Sequence, residues 1–154
     1  MLREVKAPDK KTLASDFFVK DVLGYINEIE KINVSLAKQA GYSEDIGKKI
    51  VQLSNEIVLK GYYLEEAINN KIITNKIKDS FRSFVGPFVY KSPMIKRALE
   101  KPKGYPGDYL MLENVYNNQP LEGKGIGFYF DKYFIGSAYA VAVRGRKDRL
   151  RECI

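Results

Sequence analysis

The sequence predicts an all-α fold, a single helical-bundle domain of about six to seven helices that spans residues 1–154. Two patterns favour helices: apolar residues recur every third or fourth position through most of the chain, and capping residues or Gly and Pro separate these stretches. A third observation argues against sheets, because no stretch alternates apolar and polar side chains as a half-buried strand does. The chain is 45% hydrophobic, which suits one compact core.

The first helix is predicted from Thr12 to about Lys38, with Thr12 or Ser15 as its cap and Gly41 as its end. Its apolar seam, at alternating spacings of four and three, is Phe18, Val22, Tyr25, Ile29, Ile32 and Leu36. This repeat lasts less than about four heptads and Gly24 interrupts it, so bundle packing is favoured over a coiled coil.

Two longer helices follow. The second begins at Ser43, and Gly61 within it indicates a bend or the close approach of a neighbour. The third begins at Asn69 or Asn70 and ends at Gly86-Pro87. The inward side chains predicted for the second helix are Ile46, Ile50, Leu53, Ile57, Leu64 and Ile68. Those predicted for the third are Ile73, Ile77, Phe81 and Phe84.

Two short helices come next. Ser92-Pro93 places a capping residue before a proline at the first helical position, which predicts a fourth helix to about Lys101. Asp108 is a natural cap for a fifth helix. The apolar residues that this fifth helix carries are Leu112, Val115 and Tyr116.

The last two helices are separated by Gly136-Ser137. The first of the pair covers Ile126 to Ile135, and the second runs from Ala138 to the end of the chain. The inward residues predicted for the first of the pair are Ile126, Phe130, Tyr133 and Phe134. The last helix keeps Val143, Leu150 and Ile154 on one side and its cations on the others. Residues 117–125 form a loop by composition.

Charge and composition exclude several kinds of site. With 26 Lys and Arg against 19 Asp and Glu, the net charge of +7 favours anionic partners but also suits ordinary solubility. The chain has no histidine and one cysteine, Cys153, so Ser–His and Cys–His catalysis and structural zinc or iron–sulfur sites are excluded within one chain. No apolar run reaches the roughly 20 residues that span a bilayer. Because no signal core follows Met1, we expect a cytoplasmic protein.

Three groups of residues and one single residue, Asp108, invite a functional interpretation beside a structural one. Glycines at 123, 125 and 127 do not fit a phosphate loop, because Asn118 stands where that loop needs glycine. The cations of the last helix can grip phosphates or simply face solvent. The aromatic residues at 128–134 can line an apolar groove or pack in the core. Asp108 can belong to a ligand site, cap a helix, or pair with Arg144 or Arg146.

Two segments of the chain resemble a known family. The first resembles a segment of bacterial class I S-adenosylmethionine-dependent methyltransferases, in the group that includes 3-hydroxypalmitic acid methyl ester biosynthesis proteins. Its matching residues are Lys101, Pro102, Lys103, Gly104, Tyr105, Pro106, Gly107, Asp108 and Tyr116. A second segment matches downstream at Ala142, Val143, Arg144, Gly145, Arg146 and Lys147. Together they cover about the last third of the chain.

The resemblance implies a helical region that precedes a Rossmann-like catalytic domain. In the family these segments come before that domain, whose first strand runs into a glycine-rich turn that holds the cofactor. No strand followed by a Gly-x-Gly turn is present here. The resemblance therefore implies a region that caps the active site and shapes substrate choice, without catalysis or S-adenosylmethionine binding of its own.

The resemblance and the local chemistry together select a candidate surface. Its residues are Lys103, Tyr105, Asp108, Tyr109, Arg144 and Arg146. Asp108 would cap a helix and accept from an arginine, and the tyrosines would face substrate or the catalytic domain. The expected partner is that domain or another protein. The alternatives are a helical interaction or regulatory module, as a monomer or homodimer, and, third, non-specific nucleic-acid binding.

Overall fold

The structure is a computed structural model that describes residues 9–38, 41–102, 104 and 109–153. These residues form helices and turns, with no strand among them, which confirms the all-α prediction. The helices are α1 (Lys10–Asp16), a π-helical turn (Phe17–Val22), α2 (Leu23–Leu36), α3 (Glu44–Ile68), α4 (Lys71–Val89), α5 (Pro93–Glu100), α6 (Tyr109–Asn117), α7 (Gly125–Ile135) and α8 (Ala138–Glu152). The first three segments form one rod, so the described chain has seven helices.

The first rod begins earlier than the sequence predicts. Neither Thr12 nor Ser15 caps it. The carboxylate of Asp9 accepts a hydrogen bond from the backbone N–H of Thr12 at 2.8 Å, so the cap lies three residues upstream. The rod ends at Leu36, and Gly41 lies beyond it in a turn with a φ of 91°.

The π-helical turn changes the register of the predicted seam. A π-helix closes its hydrogen bonds over five residues rather than four, so Phe17 and Val22, five apart, fall on the same side. Both are buried, whereas Phe18, the predicted seam residue, is half-buried. From Tyr25 onward the predicted seam holds, with Tyr25, Ile29 and Ile32 buried.

Helices α3 and α4 begin at the predicted caps. The side chains of Ser43 and Asn70 accept from the backbone N–H groups three residues further on. The predicted end of α4 at Gly86-Pro87 is wrong, because the helix continues to Val89. Proline carries a helical φ and loses one backbone hydrogen bond here, and the preceding glycine has no Cβ to clash with the proline ring. Phe84, predicted inward, is 49% exposed.

The later helices also begin as predicted. Ser92 caps α5 and Pro93 is its first residue, and Ser137 caps α8. Helix α6 begins directly after Asp108, which lies outside the described residues. Leu150, which the sequence places on the same side of α8 as the buried Val143, is 60% exposed. Ile154 lies outside the described residues.

Two hydrophobic clusters hold the helices together. The larger one joins the first rod to α3, α4 and α7, and its buried members are Phe17, Val22, Tyr25, Ile29, Ile32, Ile50, Ile57, Leu64, Ile68, Val85, Ile126, Tyr129 and Phe130. The smaller one joins α6 to α8 through Met111, Val115, Ala140 and Val143. Helices α5 and α7 connect the two, since Ala98 and Phe134 pack against the smaller cluster.

Candidate functional site

The predicted surface residues are only partly within the described chain. Lys103, Tyr105 and Asp108 lie outside it, so the contacts expected of them stay predictions. Tyr109 stands at the start of α6 and is 64% exposed, and Arg146 is exposed on α8. Since α6 packs on α8, the structure brings the helices that carry both residues together.

Arg144 has a structural contact that the sequence does not reveal. Its Nη2 donates a hydrogen bond to the backbone carbonyl of Ile135 at 3.0 Å. Ile135 is the last residue of α7, where carbonyl groups lack partners within the helix and the dipole favours a cation. Arg144 therefore caps α7 from α8. Its Nη1 is buried without a hydrogen-bond partner among the described residues, so the guanidinium retains donor capacity.

The two segments that carry the family resemblance meet in the smaller cluster. Met111 and Val115 of the first pack with Ala140 and with Val143, which belongs to the second. The Lys147 ammonium lies 4.6 Å from the centre of the Tyr116 ring, a cation–π contact between two more matched residues. Residues about thirty positions apart in sequence thus form one α6–α8 unit.

The surface of α8 is basic and sparsely paired. No ion pair joins one of its cations to an acid within the described part of the chain, whereas Lys and Arg residues of the first rod, α3, α4 and α5 make several. The cations of α8 are Arg144, Arg146, Lys147, Arg149 and Arg151. Every residue from 148 to 153 is exposed, so the end of the helix lies largely in solvent.

The aromatic segment at 128–134 supplies core residues, and two of them, Phe130 and Tyr133, also line a groove between α3 and α4. Tyr129 and Phe130 are buried, and the other aromatic residues of the segment are half-buried. The Tyr129 hydroxyl accepts a hydrogen bond from the backbone N–H of Ser43 at 2.8 Å, which ties α7 to the start of α3. The Tyr42 ring stacks on Tyr129 at 5.6 Å and lies under the ammonium of Lys132.

Sequence reasoning missed a buried carboxylate that organises the centre of the molecule. Asp131 is fully buried and accepts hydrogen bonds from the Ser92 hydroxyl at 2.5 Å and from the backbone N–H groups of Met94, Leu121 and Glu122. It therefore fixes the start of α5 and the loop before α7 at once. The sequence signal that could have indicated this role was a single acidic residue within an aromatic, apolar helix. An acid buried in such a helix needs hydrogen-bond or charge partners.

Sequence reasoning also missed a groove between α3 and α4. It has a volume of about 420 Å³. Its floor is formed by buried core residues such as Phe17, Ile57 and Phe130, and residues of α5 close one end. An ion pair between Lys78 of α4 and Glu65 of α3, 2.8 Å long, bridges its two walls. We call this cavity the α3–α4 groove.

Among the neutral hydroxyl groups that line this groove, those of Tyr25 and Ser54 lie close together. The Tyr25 and Ser54 side chains are 7% and 4% exposed, and their oxygens are 3.4 Å apart. This is longer than an ordinary hydroxyl hydrogen bond, so each group keeps donor or acceptor capacity. Burial raises the pKa of Tyr25 to about 12, which keeps it neutral well above physiological pH.

Comparisons with known proteins identify no similar protein. No family model, no curated protein and no solved structure matches the chain. Within residues 9–38, 41–102, 104 and 109–153, no three His, Cys, Asp or Glu side chains stand close enough to hold a metal ion. None of the described helices combines the length and apolar character needed to cross a membrane. The resemblance to methyltransferases therefore rests on the residues quoted for it.

Proposed function

We propose that this chain is a helical, non-catalytic region of a class I S-adenosylmethionine-dependent methyltransferase-like protein, which caps the catalytic domain and shapes access of its substrate. One observation carries the proposal. The two segments that resemble the family are separated in sequence, yet they pack into the single α6–α8 unit through Val115, Val143 and the contact of Tyr116 with Lys147. Two segments that belong to one docking surface must lie side by side, and both of these lie in the α6–α8 unit.

The proposal assigns cofactor binding to a separate domain. In the resembling enzymes the cofactor is held by a strand that ends in a glycine-rich turn. The described residues of this chain form no strand, and we derive no step of methyl transfer from them. The part of this chain is to bind and orient, not to react.

The α6–α8 unit offers a surface that suits a second folded domain. Tyr109, Tyr139 and Leu150 expose apolar area on it, at 64%, 50% and 60%. The cations of α8, which form no ion pair with an acid among the described residues, would complement acids on the catalytic domain. The exposed turns at 148–153 also favour a partner, because helices in proteins owe most of their stability to tertiary packing. A single exposed leucine is ordinary on a protein surface and would not by itself indicate a partner.

Hydrogen exchange tests this proposal against the interaction-module alternative. In the isolated chain, we expect the amides of residues 148–153 to exchange fast at every protein concentration, while those of α3 and α7 are protected. Protection of α8 that rises with protein concentration, together with a dimer mass by light scattering, would support the homodimeric module. It would contradict the proposed role of the chain as a cap on a catalytic domain. Control amides in α2, whose buried face lies in the large cluster, should not respond to concentration.

A further inference from the structure

A second site lies in the α3–α4 groove, away from the α6–α8 unit. We propose that this groove binds a neutral, mainly apolar small molecule that carries one hydroxyl or carbonyl group. The volume of about 420 Å³ falls in the range of ligand pockets. The inference does not depend on the proposed docking of a methyltransferase domain.

The walls of the groove favour a small molecule over a helix of another protein. A helix with its side chains is about 10 Å wide, so both walls would have to move apart to admit one. The exposed ion pair between Lys78 and Glu65, with 2.8 Å between its nitrogen and oxygen, spans the mouth of the groove and would have to break as well. The floor below it is apolar and belongs to the core, with Ile57 and Phe130 at 5% and 1% exposure, so a ligand there would gain dispersion contacts on several sides.

The charges around the groove favour a neutral ligand. Lys78 is already paired with Glu65, and Arg82, the other cation in the wall, is paired with Asp79 at 2.9 Å. No lining acid or cation is left unpaired on the described wall to meet a charged group. Transfer of an uncompensated carboxylate into such a site is strongly unfavourable.

The buried hydroxyls supply the polar contact that the ligand needs. Tyr25 and Ser54 meet across 3.4 Å on the floor, and both retain hydrogen-bonding capacity. A ligand hydroxyl or carbonyl between them would complete hydrogen bonds that the protein makes poorly by itself. Apolar pockets with a few converging polar groups are the usual form of small-molecule sites.

Fluorescence of N-phenyl-1-naphthylamine, a neutral apolar dye, tests the groove directly. We expect saturable binding with a blue shift in the wild-type chain. Gly61 lies in the wall, and a Cβ there would come no nearer than 4.0 Å to Phe17, so Gly61→Leu places its side chain in the groove without a backbone clash. Gly61→Leu should weaken dye binding at least tenfold. The matched control is Gly24→Leu, at an exposed position with nothing within 4 Å, and it should leave binding within twofold of wild type.

Competition decides the chemical class and needs no variant. At pH 8, 1-decanol should displace the dye at concentrations at least tenfold below those of decanoate, which has the same chain length and a charge. In Tyr25→Phe/Ser54→Ala, decanol should compete about threefold to tenfold less well, the loss of one hydrogen bond, while dye binding is kept. Absence of saturable dye binding, equal loss in both leucine variants, or displacement by decanoate as good as by decanol would each overturn the proposal.

Discussion

Gly127 is the position where a single methyl group should disturb the fold most. A Cβ placed on it would lie 2.2 Å from the backbone oxygen of Lys91 and 3.0 Å from the Glu122 Cγ. Because ordinary contacts begin at 3.4 Å, α7 and the turn before α5 would have to separate by about 1 Å in Gly127→Ala. The moving turn carries Ser92, whose hydroxyl donates to the buried carboxylate of Asp131.

The cost follows from these contacts. Overpacking against backbone costs about 1–3 kcal/mol. Strained or lost hydrogen bonds to the Asp131 carboxylate add about 1.5–3 kcal/mol. The better helix propensity of alanine returns at most about 1 kcal/mol. The net loss in the free energy of unfolding is roughly 2–5 kcal/mol, or roughly 5–15 °C in Tm for a chain of this length.

Urea and thermal unfolding, followed by circular dichroism, measure this loss. Gly24→Ala is the matched control, because it lies inside α2 with nothing within 4 Å of a new Cβ. It should raise the free energy of unfolding by up to about 1 kcal/mol. The reasoning is refuted if Gly127→Ala is as stable as wild type or gains stability as Gly24→Ala does.

Three further outcomes can be measured on the same instrument. Asp131→Asn keeps the shape of the side chain but turns an N–H₂ group toward donors, and should cost about 2–4 kcal/mol; a loss below 1 kcal/mol contradicts the network. Arg144→Met removes the hydrogen bond to the Ile135 carbonyl and should lower the free energy of unfolding by about 1–2 kcal/mol. An unchanged urea midpoint contradicts the capping of α7 by Arg144. The pKa of Tyr25, raised by burial to about 12 from about 10, predicts stability that is full below pH 10 and falls by up to about 3 kcal/mol as the pH rises to 12. Tyr25→Phe should lose less over that interval, and equal pH slopes contradict the shift.

The helix boundaries could be predicted where local chemistry determines them. Ser43, Asn70, Ser92 and Ser137 each combine a short acceptor side chain with a following apolar repeat, and each caps a helix. The boundary at Pro87 was wrong because a proline near the end of a helix costs one hydrogen bond, which surrounding contacts can offset.

The features that depend on packing between distant residues could not be predicted in the same way. The register change at Phe17 requires a π-helical turn. The spacing of the apolar residues by three and four does not indicate such a turn. The α3–α4 groove exists because these two helices stand apart. The pattern of apolar residues on each helix does not determine that distance. The burial of Asp131 depends on backbone N–H groups of a loop before α7, so its partners are invisible to side-chain patterns.

The sequence predicts the candidate surface as a pair of segments and not as a set of contacts, and the role of that surface stays a prediction. The resemblance selected both, and their residues Val115 and Val143 do pack in one cluster. It did not reveal that Arg144 caps α7, because that contact is to a backbone carbonyl of a third helix. The ion pair expected between Asp108 and an arginine stays a prediction, since Asp108 lies outside the described residues.

The DNA sequence that follows the codon for Ile154 tests the proposed methyltransferase kinship most directly. We expect an open reading frame that encodes a strand followed by a Gly-x-Gly turn, the start of a cofactor-binding domain that the α6–α8 unit would cap. A stop codon there, with no such domain encoded nearby, would contradict the proposal and leave the helical interaction module as the better explanation.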